Sequence, residues 1–178
     1  MVNGPTIETA RLRLRLHRPA DLEARSAMLL EEETMRHVGG VSSGYLAARE
    51  ESWARIQRYV GHWALFGWGL FAVEEKATGA YLGEAGIADF HRGLGPDFDA
   101  TPEGAWLLRA AAAGRGYASE AMMAAIDWHM AHQARERIVA VIDARNVASI
   151  RVAEKLGFAR YDERGYQGAP KLLFERLP

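Results

Sequence analysis

The sequence predicts one α/β (α+β) domain over residues 1–178, a sandwich of helices against a mixed sheet, and three observations carry that expectation. The 178 residues approximate a single domain on the rough prior of about 150 per domain, which leaves no room for a second. Hydrophobic residues make up 49% and charged residues 25%, the composition of a chain that forms a sizeable core. Period-two and period-3.6 segments follow one another in the order β, α, α, β, β, β, α, β, α, β, β, with no linker between them.

Alternating Leu12, Leu14 and Leu16 predict a half-buried first strand, with Arg11, Arg13 and Arg15 read as its solvated face rather than a phosphate clamp. Pro19 and Asp21 open a helix that Gly39 and Gly40 stop, and a second helix runs from near Ser43 to about His62. Strands at about Trp68 to Glu74 and Ala80 to Phe90 are joined by Lys76-Ala-Thr-Gly79, which has hairpin-turn chemistry. A Gly, Pro and Asp-rich loop, Arg92 to Thr101, leads into a strand from Glu103 to about Leu108. A helix from Gly116 to about His132, a strand from Arg137 to Ile142 and a helix from Val147 to Leu156 ended by Gly157 follow. The remainder supplies one or two strands, Lys171 to Leu177 the clearest.

Composition narrows the function. With 22 Lys and Arg against 23 Asp and Glu the formal net charge is −1, so neither bulk nucleic acid nor an anionic membrane is an expected partner. The absence of Cys excludes disulfides, thiolate nucleophiles and Cys-ligated zinc, in keeping with the cytoplasm. The most apolar stretch, Tyr59 to Val73, contains His62 and three glycines and reads as buried strand and turn, not a membrane span. The first sixteen residues lack the apolar run and small-residue cleavage site of a secretory leader.

The informative segment is Trp106 to Glu120, where a strand passes through a short connection into a helix. Gly114, Gly116 and Ala118 allow a ligand close to the backbone, and first-turn amides without internal partners suit an anion such as a diphosphate. A tight strand-to-helix turn with no ligand is the plain structural alternative. A Rossmann fingerprint fails because Ser119 stands where the third glycine belongs, and a P-loop fails because no Gly-Lys-Ser/Thr follows. Further on, Asn146 is a good N-cap, Lys155 complements a helix C-terminus, and Gly157 suits the left-handed residue after it. Asn146 and Ser149, three apart, share a face at that helix start.

Together these segments resemble the GNAT family of acyl-CoA N-acyltransferases, in the branch similar to the RimJ and RimL ribosomal-protein acetyltransferases. The family's Gln/Arg-x-x-Gly-x-Gly/Ala loop maps onto Ala113-Gly114-Arg115-Gly116-Tyr117-Ala118, and its Asn-x-x-Ser-x-x-x-x-Glu-Lys-Leu-Gly-Phe pattern is matched by Asn146 to Phe158. Ala113 departs from the usual Gln or Arg. The resemblance implies a GNAT-like sandwich with a mixed, mostly antiparallel central sheet flanked by helices. It also implies a cytoplasmic enzyme that moves an acetyl group from acetyl-CoA directly to a primary amine, a protein N-terminus or a small molecule, without a metal. By the same resemblance the amides of Gly114, Arg115, Gly116, Tyr117 and Ala118 hold the diphosphate, and Leu108 and Asn146 meet the pantetheine arm. Homodimerisation is compatible with the branch but has no residue-level support.

Acyl transfer to an amine needs a base, an oxyanion donor and a proton for the departing thiolate. Glu103 is the expected base, against the alternative of a surface carboxylate at a strand end. The resemblance gives Ser149 to the thiolate, against local bonding to backbone, and the Leu108 amide suits the oxyanion. His129 and His132 lack a third ligand at zinc spacing and read as solvated or capping. His91 with Glu84 and Asp89, the tryptophans Trp53, Trp63, Trp68 and Trp106, and the Asp97 and Asp99 loop are candidates for the acceptor side, each with a plain structural alternative, and Tyr117 reads as packing rather than acid. The rival function is a non-catalytic acyl-CoA-binding or sensing module, and a Rossmann oxidoreductase is a distant third.

Overall fold

A computed structural model of the protein describes residues 4–99, 101–133 and 137–178. Eight strands form one sheet: β1 (Ile7–Glu8), β2 (Leu12–Arg15), β3 (Leu70–Glu75), β4 (Tyr81–Ala88), β5 (Glu103–Leu108), β6 (Ile138–Asp143), β7 (Ala159–Tyr166) and β8 (Ala169–Arg176). Their order is β1-β2-β3-β4-β5-β6-β8-β7, and every neighbouring pair is antiparallel except β5 with β6. This is the mixed, mostly antiparallel sheet the sequence implied.

Helices cover both faces. On one side α1 (Leu22–Met28), α2 (Glu32–Met35) and α3 (Tyr45–Phe66) pack over β3 to β5. On the other lie α5 (Tyr117–His132) and α6 (Val147–Lys155). The main core lies there, where Met122, Ala125 and Ile126 of α5 and Leu156 meet the alternate residues Leu12, Leu14, Phe71, Val73 and Ile87 of the sheet.

Four expectations need correction. The first helix does not run from Pro19 to Gly39: it is a 3₁₀ turn, Pro19–Asp21, then α1, then α2, parted by Glu31 in an extended conformation. The break is tertiary, because Glu31 accepts from Arg109 Nε at 2.7 Å and Thr34 Oγ1 accepts the Ala110 N–H at 2.8 Å. The loop from Arg92 to Thr101 contains a one-turn helix, α4 (Pro96–Asp99), while its Ala100 lies outside the described residues. Strand β1 is too short for its period to be read. The arginines in and before β2 are not simply solvated, for Arg15 binds Asp21 at 2.8 Å and Glu74 at 3.0 Å, and Arg11 binds Glu120.

One glycine fixes the sheet where the site lies. Gly83 of β4, at φ 143°, has no room for a side chain: a Cβ there would stand 2.1 Å from the Leu107 carbonyl oxygen and 2.8 Å from the Leu108 Cα. Both obstacles are backbone, so neither can swing aside. Gly83→Ala is expected to cost about 2 kcal/mol or more of stability, measured by chemical denaturation. A variant as stable as the parent would show that β4 and β5 do not approach this closely.

Candidate active site

Parallel strands β5 and β6 meet, among the described residues, at the single register Glu103↔Val139. The Val139 N–H donates to the Pro102 carbonyl at 2.9 Å, while the Arg109 N–H donates the other way, to Leu82 of β4, at 2.8 Å. Backbone groups alternate along a strand, so those of Trp106 and Leu108 turn toward β6, where the two strands have already parted. A cleft of about 340 Å³ opens in this gap, lined by β5 from Glu103 to Leu107, by β6 at Val141 to Asp143, and by Asn146 and Ser149.

β5 leads through a 3₁₀ turn, Ala110–Ala112, into the glycine turn. Gly114 and Gly116 have φ 72° and 76°, the left-handed region, and Gly116 is the N-cap of α5 with no side chain capping the helix. No heavy atom lies within 4 Å of where a Gly114 Cβ would stand. The amides at this helix start face an approachable surface, as an anion requires. Arg11, just before β2, braces the turn, donating to the Arg115 carbonyl at 2.9 Å and to Glu120 at 2.7 Å. Arg115 itself turns away to Glu75 at 3.0 Å, and the Tyr117 hydroxyl donates to the same carboxylate while its ring is buried, so Tyr117 is packing.

Across the gap, Asn146 caps α6, its Oδ1 accepting the Ser149 N–H at 3.1 Å. The Ser149 hydroxyl accepts from Trp106 Nε1 at 3.3 Å and retains its own proton for donation. The pair predicted to share a face does so, and both residues line the cleft.

Glu103 is no surface carboxylate. It is 3% exposed and held by a fork in which Arg92 Nε and Nη2 each donate at 2.6 Å. Burial raises its carboxyl above the ordinary range, against the lowering effect of Arg92. Arg92 is pinned in turn, its guanidinium 4.6 Å from the Phe90 ring centre and 5.8 Å from that of Tyr166. Deeper on the same side, Glu84 of β4 is held by Arg25 at 3.1 Å and by the Tyr59 hydroxyl at 2.7 Å. Burial opposes ionisation of Glu84, yet the Arg25 guanidinium keeps its carboxyl below the usual range. The other carboxylates of the cleft are also matched, Glu51 by Arg55 at 3.4 Å and Asp143 by Lys171 at 2.9 Å.

The sequence reading missed Arg92, Arg25, Glu84 and Tyr59 as a set, because no spacing announces partners from separate elements. Only the Gly-rich setting of Arg92 could have drawn attention to it. Of the four tryptophans, Trp106 lines the cleft, Trp63 is core, Trp53 is exposed, and Trp68 borders a separate surface hollow with Asp89 and His91. His91 pairs with Asp89 at 3.1 Å on the surface and does not join Glu84, which lies under α1 and α3. Asp97 pairs with Arg164, and Asp99 accepts the N–H groups of Gly93, Leu94 and Gly95, so neither reaches out for a cationic ligand. His129 is buried against Trp68 rather than solvated, whereas His132 stacks on Trp128. Among the described residues no group of three or more His, Cys, Asp or Glu could hold a metal ion, and no helix is long and apolar enough to cross a membrane.

A family model described as an acetyltransferase (GNAT) domain matches residues 11–159. Among solved structures, a Bordetella pertussis protein assigned to the GnaT acetyltransferase family is 34% identical, with TM-score 0.84 over 97% of this chain and 99% of that one. An acetyltransferase from Agrobacterium tumefaciens is 27% identical, with TM-score 0.80 over 99% and 96% of the two chains. RimL, a ribosomal L7/L12 α-N-protein acetyltransferase in complex with coenzyme A, shares the fold at 14% identity, with TM-score 0.76 over 97% and 98%. YkkB of Bacillus subtilis is 35% identical over 92 residues, 52% of this chain and 51% of YkkB, so the chain spans about half the length of the curated relative it matches.

Beside Glu84, His17 is fully enclosed, its ring 4.9 Å from that of Tyr59 and neither nitrogen hydrogen-bonded. Burial pushes its pKa from 6.5 down to about 4, despite the Glu84 charge. The unfolded chain therefore binds a proton below pH 6.5 that the folded chain refuses until about pH 4. Stability is complete above pH 6.5 and falls through that window, by up to about 1.4 kcal/mol per pH unit from His17. His17→Phe is expected to flatten the slope by one proton in denaturation curves taken from pH 4.5 to 7.5, using about five steps. An unchanged slope would show that His17 is not buried neutral.

Proposed function

The chain belongs to the GNAT acetyltransferase family, and from that premise we propose that it transfers an acetyl group directly from acetyl-CoA to a primary amine. The single observation that carries this reading is the parting of β5 from β6 beside an uncapped glycine turn. In RimL, which shares the fold, the bound molecule is coenzyme A.

In this proposal the amides of Gly114, Arg115, Gly116, Tyr117 and Ala118 bind the diphosphate, Gly114 leaves its approach open, and the Arg11 guanidinium stands 3.6 Å from where a Gly116 Cβ would lie. Ala113 supplies only backbone, so the amides carry this contact alone. The pantetheine arm extends the open edge of β5, meeting the Leu108 backbone and the Asn146 side-chain amide, whose oxygen is already engaged. The arm thereby takes the hydrogen bonds that β6 does not supply.

The amine enters from the α1 and α3 side and loses a proton to Glu103, directly or through one water. Its nitrogen then bonds the thioester carbonyl carbon as the C–S bond breaks. The Leu108 N–H, turned toward β6, supports the developing oxyanion, and the proton that the nitrogen sheds on becoming an amide passes through Ser149 to the thiolate, so that the serine hydroxyl is restored. No covalent enzyme intermediate forms and no metal takes part. With acetyl-CoA as donor, the proposed site of action is the cytoplasm.

Calorimetry with CoA and thiol release from acetyl-CoA across a panel of amines test this reading. Glu103→Gln is expected to leave CoA affinity unchanged and to lower kcat/KM by about 100-fold or more. In the parent, kcat/KM should fall with decreasing pH through a pKa above the ordinary Glu value, and the variant should lack that limb. Equal turnover by parent and variant across pH would remove Glu103 as the base. CoA binding with no turnover on any amine would leave a binding module instead.

A further inference from the structure

The acceptor side of the cleft holds no carboxylate left over for a polycation. Glu84, Glu103 and Asp143 are each buried against a cation, the partly exposed Glu51 is paired more loosely with Arg55, and Arg58 at the rim makes no ion pair among the described residues. The surplus charge is positive. A polyamine or an aminocyclitol would meet it as repulsion, whereas an acceptor with a negative group would meet attraction.

Arg92 shows where that group docks. A guanidinium offers two bidentate edges, Nε with Nη2 and Nη1 with Nη2. Glu103 occupies the first, and among the described residues no carboxylate occupies the second, the guanidinium's other side-chain partner being the neutral Tyr166 hydroxyl. The plane is held by Phe90 and Tyr166, and its residue lines the cleft, so the second fork is preorganised. Resting on the acetyltransferase reading, we propose that the acceptor is a primary amine bearing its own carboxylate, gripped by the Nη1–Nη2 edge of Arg92. Arg58 draws it in at the rim, and the amine comes to lie beside Glu103. One arginine thereby seats the base and the substrate together, which makes it the specificity-determining residue.

The carboxylate can belong to a free amino acid or to an acidic residue at a peptide N-terminus, and two arms separate them. In the first, glycine, L-alanine, L-methionine and L-glutamate are compared with their α-carboxamides in acetyl-CoA thiol release. In the second, amidated Asp-Ala-Ala is compared with amidated Asn-Ala-Ala. The carboxylate-bearing member of at least one arm is expected to be favoured by about tenfold or more in kcat/KM, chiefly through KM. Arg92→Lys keeps the charge but not the fork and should collapse that preference, whatever its effect on the absolute rate; its melting temperature verifies folding. Inhibition of the parent by N-acetylated acids, but not by N-acetylated amides, gives a second readout without turnover. Equal kcat/KM within both arms, or a preference that survives in Arg92→Lys, overturns the inference while the acetyltransferase reading stands. Turnover of none of these amines, with CoA unbound, overturns both.

Discussion

A strand edge withdrawn from water must find partners for its N–H and C=O groups, and the edge of β5 from Gly104 to Leu108 faces β6 without being zipped to it. Everything about the site follows from that edge. On its other side β5 is tied to β4 along its whole length, closely enough at Gly83 that a methyl group would strike backbone. Past Leu108 the chain has no strand to continue into and turns through Gly114 and Gly116 into α5. An open ladder and an uncapped helix start are thus consecutive in the chain, a run of backbone donors suited to a long ligand with an amide-rich arm and a charged end.

The two faces of the sheet divide the work. Beneath α5 and α6 the contacts are apolar, and side chains such as Met122, Ile126 and Phe71 are almost fully enclosed. Beneath α1 and α3 smaller apolar clusters share the face with buried ion pairs, Arg25 with Glu84 and Arg92 with Glu103. Buried ion pairs contribute little net stability once desolvation is counted, so a polar face of this size is weak as a fold device. Its use is positional, for each carboxylate is held at one orientation by a partner with a rigid fork. The apolar face fixes the frame, and the ionic face fixes what the frame presents to the cleft.

The same division governs what could be read in advance. Strand β5 was legible from Glu103 to Leu108, and so was the Asn146 cap, because both are set by residues within a few positions of one another. The break between α1 and α2 was not, because Glu31 and Thr34 are held by Arg109 and Ala110, more than seventy residues away at the end of β5. Arg15 was misread for a related reason: a period-two pattern says which face a side chain takes, not that Asp21 and Glu74 wait there. Glu103 stood out by its place at the start of β5, but its burial and its partner did not, since both arise from the loop folding back over the strand.

The sequence by itself determined most of the elements, the glycines at the helix entrance and the family resemblance those glycines carry with the Asn146 segment. Backbone stereochemistry and side-chain period are local, so a linear string records them. Tertiary structure alone decided that β5 and β6 part after one register, that Arg25 finds Glu84 59 residues away, and that the cleft carries surplus positive charge. Those are properties of distance in space, and charges and strand edges acquire their energies only when folding brings them together and removes the water between them.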